Sequence, residues 1–423
     1  INLASLFTMK KILILTAGFG DGHNTAARNI CEALQEHPEN LPSKCTDAAN
    51  NCVAPVLASS SMNDTLSRCA PSTPCSSSAS ATFKTGSDVT VRVVDIYTLT
   101  HPRVNKLLQK GYLLAINKLP FVWEQIFDFL NYPGGLEKTL FMARHLKQAL
   151  GKLIGEFNPD VIISTYPLYS FLLHQLRQDC HLACQVPLVT VITDSTAVNT
   201  SWYRCPASNF FIVADEETAA IVKHDHITPE KIKILGFPVT PRLATLAMVT
   251  MTSLPPWKIL YLPSSKLPHT LEVLQELHQL PDIEVTIVTG RLEELHAALE
   301  KSSLVDGKKI KLLGWTDQIP ELLTSHHLYI GKAGGAIVHE AMAAQCPVLI
   351  SHVVPGQEEG NIELIERLDI GRLAVHYPVN IAASVTEIFD HDAAMWHRWR
   401  GHLSKLAHPA ASRNIAEFIL SLK

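Results

Sequence analysis

GKAGGAIVHEAMAAQCPVLISHVVPGQEEGN, residues 331–361, is the stretch from which the fold can be read. Its order of residue types spells a strand end, a glycine turn, a short helix, a buried strand and a polar loop. That order is half of a doubly wound nucleotide site. Gly331, Gly334 and Gly335 carry no Cβ, so the backbone is free to take positive φ and a ligand can approach closely. The helix starts directly after them, and its free N–H groups and positive dipole end face the turn. A diphosphate fits such a turn, and Lys332 adds a mobile positive charge. At about 100° per residue, Ile337, Val338, Ala341, Met342 and Ala344 share one arc; His339 falls opposite it and Glu340 at its edge. A carboxylate at that edge can accept hydrogen bonds from ribose hydroxyls. The PGQEEGN loop, 355–361, sets Gln357, Glu358, Glu359 and Asn361 between and beside two glycines just past a strand end, a set able to bond sugar hydroxyls. Taken alone, the glycines also suit a plain strand-to-helix turn, with Glu340 solvated and the loop acids a mere helix start.

With 423 residues the chain has room for two domains or three. It is 47% hydrophobic and 18% charged, so each domain can build its own core. A net charge of −4 supplies no overall basic field, which argues against a dedicated nucleic-acid binder. No apolar run reaches the roughly 18 residues of a membrane-spanning helix, and the start lacks the pattern of a signal peptide. Residues 1–8 precede Met9, and Met9-Lys-Lys reads as a natural start. The nine Cys show no zinc spacing: Cys180 and Cys184 have no second pair at a finger-like distance. Reduced thiols in a cytosolic protein are expected.

A second strand, glycine turn and helix unit stands at the start. KKILILTA, 10–17, is a short buried strand; GFGDGH, 18–23, is the turn; the helix after it puts Ala27, Ile30 and Leu34 on one face with Ala26 and Ala33 beside it. The G-x-G-x-G spacing, with no acidic residue about 20 positions on, is a weak dinucleotide fingerprint. His23 sits where loop becomes helix, at the carboxyl end of the first strand, where open α/β sheets bind ligands; a lone His is also often structural. Residues 38–88 are rich in Ser, Ala, Pro, Thr, Asn and Cys without a sustained period, and read as a disordered insert. VTVRVVDIY, 89–97, resumes the sheet. From 101 to 152, eight Lys or Arg stand against three acids, among Tyr112, Phe121, Trp123, Phe127 and Phe129. Such a surface suits an interfacial membrane contact, or a helical layer with a solvated Lys face. PLVTVITDS, 187–195, is a strand ending in Thr193-Asp194, with Trp202 eight residues later. The remaining strand and helix alternation predicts an α/β protein with two parallel-sheet domains.

With these residues in view, the chain resembles GT-B glycosyltransferases, in particular the monogalactosyldiacylglycerol synthase and processive diacylglycerol glucosyltransferase family. The resemblance rests on the Lys332-to-Ala341 segment followed by Pro355-Gly-Gln-Glu-x-x-Asn361, and on the opening Gly18-x-Gly-x-Gly-His23-x-x-Ala-Ala. It implies two Rossmann-like doubly wound parallel-sheet domains facing a cleft. The first, 9–240, would bind the acceptor and carry the 38–88 insert. The second, 256–400, would bind a UDP-sugar, and the helix in 401–423 would pack back toward the first. The resemblance places Lys332, Gly334 and Gly335 near the UDP diphosphate and Glu340 on the ribose. It places Gln357, Glu358 and Asn361 around the transferred sugar and Gly314 on the uracil edge. Gly20, Gly22 and Trp202 would face the acceptor. The His that many relatives carry between the Thr-Asp pair and the Trp is absent: TDSTAVNTSWYR has Val198 and Asn199 there. LPSSK, 262–266, replaces a turn that is often glycine-rich in relatives.

The implied reaction moves a hexose from UDP-galactose or UDP-glucose to diacylglycerol with inversion. The acceptor hydroxyl needs a base, for which the candidates are His23 and Asp194; a neutral imidazole accepts a proton near neutral pH without unusual tuning. No metal or cofactor is expected, since the helix dipole and Lys332 supply positive potential. The expected partners are the UDP-sugar, the lipid and a membrane surface, from the cytoplasmic side and peripherally, with no nucleic acid. Rival readings share the architecture: the N-acetylglucosamine transferase of peptidoglycan synthesis, a UDP-N-acetylglucosamine 2-epimerase, and an inactive nucleotide-sugar binder.

Overall fold

The computed structural model describes residues 10–18, 21–36, 79–85, 89–100, 144–179, 185–195, 198–224, 227–246, 254–263, 267–305, 307–353, 358–374 and 378–422. Within them the chain forms two sheets. The first has the order β2-β3-β1-β4-β5-β6-β7, from β1 (Lys10–Thr16), β2 (Ser80–Thr85), β3 (Val89–Asp95), β4 (Val161–Ser164), β5 (Leu188–Val191), β6 (Phe210–Val213) and β7 (Ile232–Ile234). The second has the order β10-β9-β8-β11-β12-β13, from β8 (Trp257–Tyr261), β9 (Ile283–Val288), β10 (Ile310–Leu313), β11 (Leu328–Lys332), β12 (Val348–His352) and β13 (Gly371–Leu373). All pairings are parallel except β2 with β3. Covered on both faces, parallel strands read as unbroken apolar runs; β4 and β5 are buried at every position.

Strand order fixes where a ligand can sit. In the first sheet the winding reverses between β1 and β4, and in the second between β8 and β11. At such a reversal the loops leaving the carboxyl ends diverge and open a crevice. The glycine turn after β1 and the turn 333–335 after β11 therefore stand at the two crevices. The β11–β12 register slips between Gly331 and Lys332, a bulge that re-aims the lysine. Lys332 is exposed while the four residues before it are buried.

Helix α1 (Asp21–Glu36) packs Ala26, Ala27, Ile30, Ala33 and Leu34 into the first core, the face its spacing foretold. It begins two residues before His23, so the imidazole stands on the first helical turn rather than in the loop. Helices α2 (Ile96–Thr100), α3 (Arg144–Phe157), α4 (Leu168–Gln178) and α5 (Glu216–His224) complete this half. In the second half come α6 (Leu267–Gln279), α7 (Glu293–Glu300), α8 (Ile319–Ser325), α9 (Gly335–Ala343), α10 (Glu359–Arg367) and α11 (Pro378–Leu406), which breaks at 390–393. The last helix, α12 (Ala411–Ser421), returns to the first sheet. Ile415 and Ile419 join Ile12, Ile14 and Ile30 in one cluster, each contributing about 1.5–3 kcal/mol of burial. The Lys10 ammonium donates to the carbonyls of Ile419 at 3.0 Å and Leu420 at 2.8 Å, and also to that of Leu422, closing the helix's negative end.

One expectation needs correction. Residues 80–85, read as the tail of a disordered insert, form β2, an antiparallel edge strand in register Ser80↔Val94 to Thr85↔Val89. Its weak composition is rescued by pairing with β3, whose Arg92 Nε donates to Ser80 Oγ at 3.1 Å. The rest of the insert that falls in 38–78 lies outside the described residues, as do the extension 1–8, residues 101–143 of the basic aromatic segment, and Ser264-Ser265-Lys266. The segment 236–240 is a buried strap. Gly236 takes φ +91°, and an added Cβ would stand 2.8 Å from that of Ala411. Asn29 Nδ2 donates to the Pro238 carbonyl at 2.9 Å, and Ser412 Oγ to that of Val239 at 2.5 Å.

Candidate functional site

The turn after β11 has the geometry to seat an anion. Gly334 caps α9 with extended backbone and has no side chain of its own to accept from the helix's first N–H groups. None of Gly331, Gly334 and Gly335 uses positive φ, contrary to the sequence reading. What their missing Cβ atoms provide is proximity. A Cβ on Gly334 would lie 3.2 Å from Lys332 Cε, 3.5 Å from Glu358 Oε1 and 3.6 Å from Lys332 Nζ. The lysine thus folds over the turn, with the buried Glu358 on the same side. Asn361, on the first turns of α10, donates to the Ala333 carbonyl at 2.8 Å and so fixes the turn from behind. Tyr329 OH does the same from the strand, donating to the Lys332 carbonyl at 3.1 Å. Glu340 is half-buried, and burial raises its carboxyl to about 7, with Arg28 of α1 opposing the shift. Gly314 lies beyond β10 near His296, next to an exposed Trp315. Gln357 lies outside the described residues.

Across the cleft, His23 is held by three neighbours. Its Nδ1 is 2.8 Å from Thr193 Oγ1. Tyr166 meets the ring edge-on with centroids 5.2 Å apart, and Trp202 lies 5.8 Å away. Burial pulls its pKa down to about 4, with a backbone hydrogen bond at Thr165 opposing. The residue as a whole is only partly buried. Asp194 follows Thr193; burial raises its carboxyl to about 6, and the indole N–H of Trp202, 2.5 Å from Oδ2, pulls it back. Trp202 itself is 1% exposed. The sequence placed it on the acceptor, but its surface is spent on packing and on orienting Asp194. A Cβ on Gly22 would meet nothing within 4 Å, which leaves open space at the start of α1. Gly20 lies outside the described residues.

The two half-sites touch. The Thr193 carbonyl lies 3.8 Å from the Cβ position of Gly335, so the residue that holds His23 also abuts the anion seat. His339 is covered as well. It stands opposite the apolar arc of α9 yet is 6% exposed, because the first half of the chain covers that face. Sequence periodicity found the strand ends and glycines; it missed Tyr166, Ser195 and Phe237, which carry no motif. Tyr166 alone had a signal, since it follows a strand end at the winding reversal. Asp390 and Asp392 stand one residue apart, a spacing that metal sites use. They lie on the exposed break of α11, next to Phe389, which stacks on Trp257 at the amino end of β8, the end opposite the crevice. Among the described residues no group of three His, Cys, Asp or Glu is placed to hold a metal, and no helix is long and apolar enough to cross a membrane.

Comparison with known proteins agrees with this fold. The profile of the monogalactosyldiacylglycerol (MGDG) synthase family matches residues 76–239, a span that includes β2. A processive diacylglycerol beta-glucosyltransferase of Bacillus subtilis is 26% identical over 349 residues, covering 78% of this chain and 86% of the relative. One from Staphylococcus saprophyticus is 26% identical over 376 residues, covering 86% and 81%. Among solved structures, Acinetobacter baumannii MurG aligns with TM-score 0.54 at 10% identity, covering 98% of this chain and all of its own. A Neisseria meningitidis UDP-GlcNAc 2-epimerase bound to UDP-GlcNAc aligns with TM-score 0.53 at 13% identity, covering 97% and 100%. Such identities speak for the fold alone. Joined with the two winding reversals, they show the GT-B fold, and the sequence relatives make the chain similar to the monogalactosyldiacylglycerol synthase and processive diacylglycerol glucosyltransferase family.

Proposed function

We propose that the protein transfers a hexose from UDP-glucose or UDP-galactose to the free hydroxyl of diacylglycerol, inverting the anomeric carbon. The observation that carries this reading is the contact of Thr193 with both half-sites, His23 on one side and Gly335 on the other. A base and an anion seat held that close suit an acceptor attacking a sugar while a diphosphate leaves. Support for diacylglycerol over the two rival enzymes comes from the relatives that align over most of the chain and carry that lipid in their names.

In this mechanism the uncapped N–H groups of α9 and the Lys332 ammonium meet the charge that grows on the departing UDP. Glu340 accepts from the ribose hydroxyls, Gly314 bounds the uracil, and Glu358, Gln357 and Asn361 bound the hexose. His23, neutral at pH 7, takes the proton of the acceptor hydroxyl. Asp194, largely ionised at that pH and held by the Trp202 indole, stabilises the imidazolium that forms. No metal or cofactor takes part in these steps as drawn. The lipid reaches the cleft from a membrane that the protein touches peripherally at its cytoplasmic face, through the basic aromatic segment 101–152.

The test is UDP release measured with UDP-glucose and UDP-galactose in parallel, with and without diacylglycerol in mixed micelles. The proposal expects release that depends on the lipid and a glycosyldiacylglycerol product. Release that ignores diacylglycerol, or epimerised sugar nucleotide as the product, refutes it.

A further inference from the structure

His339 belongs to no role assigned so far, yet it is one of the most constrained polar side chains in the molecule. Both ring nitrogens are engaged. Nδ1 lies 2.7 Å from the Gly335 carbonyl, one turn earlier on α9, and Nε2 lies 3.0 Å from Ser195 Oγ, 144 residues away on the other half of the chain. A carbonyl only accepts, so Nδ1 carries the proton, and Nε2 accepts from the serine hydroxyl. One face of the ring is stacked on Phe237 of the buried strap, centroids 4.3 Å apart and planes 15° from parallel.

These contacts join three pieces that the reaction must align. Ser195 directly follows Asp194. Gly335 is the first helical residue of the anion seat. Phe237 lies on the strap that connects the two halves. Resting on the transfer reaction proposed above, we propose that His339 is a positioning residue. It latches the Thr193–Ser195 loop to the first turn of α9, so that the groups facing the acceptor meet the diphosphate seat in one register. The latch touches neither substrate. It acts by setting where Asp194 and the Thr193–His23 pair stand relative to Gly335.

The latch predicts a division of effects. UDP is held by the second half alone, so its affinity should survive loss of the cross-chain bond, whereas transfer should not. S195A removes that bond and leaves His339 bonded to Gly335; H339L removes both bonds while keeping a similar bulk; H339Q restores a polar end within reach of Ser195. Expected are a small drop in melting temperature for S195A as the buried His339 Nε2 loses its donor, a UDP dissociation constant within about twofold of wild type by calorimetry, and kcat lower by about tenfold. The S195A/H339L double variant should be no slower than H339L alone, and H339Q should recover part of the loss. Unchanged kcat in S195A, additive losses in the double variant, or parallel losses of UDP affinity and melting temperature overturn the proposal. Hydrogen exchange of UDP-bound protein separates this outcome from failure of the transferase reading. Should wild type not turn over with diacylglycerol, the reaction assignment falls; the latch still demands faster exchange in S195A over 192–203 and 335–343, and unchanged exchange there refutes it.

Discussion

Replacing Asp194 by Asn pits stability against activity in one position. Burial lifts this carboxyl from its ordinary 3.8 to about 6, despite the Trp202 N–H that favours the charged form. A rise of about two units means the folded protein carries the ionised group at a cost of about 3 kcal/mol, and solvent at the half-buried site reduces this to about 2. The sign follows from proton binding. The folded state holds the proton more tightly than the unfolded state, so the favourable contribution is complete below about pH 3.8 and is lost as pH rises through about 6. Asparagine keeps an oxygen to accept from the indole and never ionises. D194N should therefore be more stable than wild type near neutral pH, by about 2 kcal/mol in urea titrations at about pH 7.5, and by less than half of its pH-dependent part at about pH 4. Turnover should fall at least about 100-fold, because the imidazolium at His23 loses its countercharge. In wild type, kcat should drop as pH falls through about 6. A stability difference that does not change with pH, or a variant that keeps its turnover, would refute the reasoning.

Replacing His23 by Ala should cut kcat about 100-fold or more while leaving UDP affinity intact, as read by single-turnover sugar transfer beside calorimetry. Replacing Glu340 by Ala should weaken UDP binding about tenfold or more with a smaller effect on kcat. The Glu340 carboxyl is raised to about 7, so UDP affinity in wild type should fall as pH drops through about 7, and E340Q should flatten that dependence. Glycine variants separate packing from approach. A Cβ on Gly335 stands 3.7 Å from Asn361 Nδ2 and 3.8 Å from the Thr193 carbonyl, ordinary contacts, so G335A should keep its melting temperature and lose UDP affinity. A Cβ on Gly371 would sit 2.1 Å from the Val348 carbonyl, so G371A should lose about 3 kcal/mol or more of stability with no specific effect on UDP.

Much of the architecture was legible because parallel strands have a plain signature. Ile12 to Leu15 and Val161 to Ile163 must be covered on both faces, and only apolar runs satisfy that. The helix face of Ala27, Ile30 and Leu34 followed from spacing for the same reason. The sequence failed where burial comes from a distant segment. Periodicity sets His339 opposite the apolar arc, and nothing local reveals that Ser195 and Phe237 cover it. Trp202 was read as a ligand surface for a similar reason; its partner Asp194 was visible, but not that the indole would be 1% exposed. Residues 80–85 were hidden by composition. Ser, Thr and Ala have little drive to form a strand alone, and they form one here because β3 presents an edge to pair with. The glycines of the turn were found for half of the right reason, since close approach requires them and left-handed backbone does not.

The covering of His339 from a distant segment bears on how the site works. Each half of the chain obeys local rules well; the departures gather where the halves meet. There burial drives His23 down to about 4, Asp194 up to about 6 and Glu340 up to about 7. A protein selected for stability alone would not seat three ionisable groups in one poorly solvated seam. Their cost makes sense if ligand binding uses it. A UDP-sugar would bring hydroxyls to the Glu340 carboxylate and a diphosphate to Lys332 and the helix end, replacing solvation that the apo cleft lacks. Closure onto substrate and correction of these shifts would then be one event. Saturating UDP should accordingly lower the Glu340 pKa below about 7, which makes UDP uptake release a fraction of a proton at neutral pH. Calorimetry in two buffers of different ionisation enthalpy measures that proton directly. Equal binding heats in both buffers, or proton uptake in place of release, would remove Glu340 from the donor site.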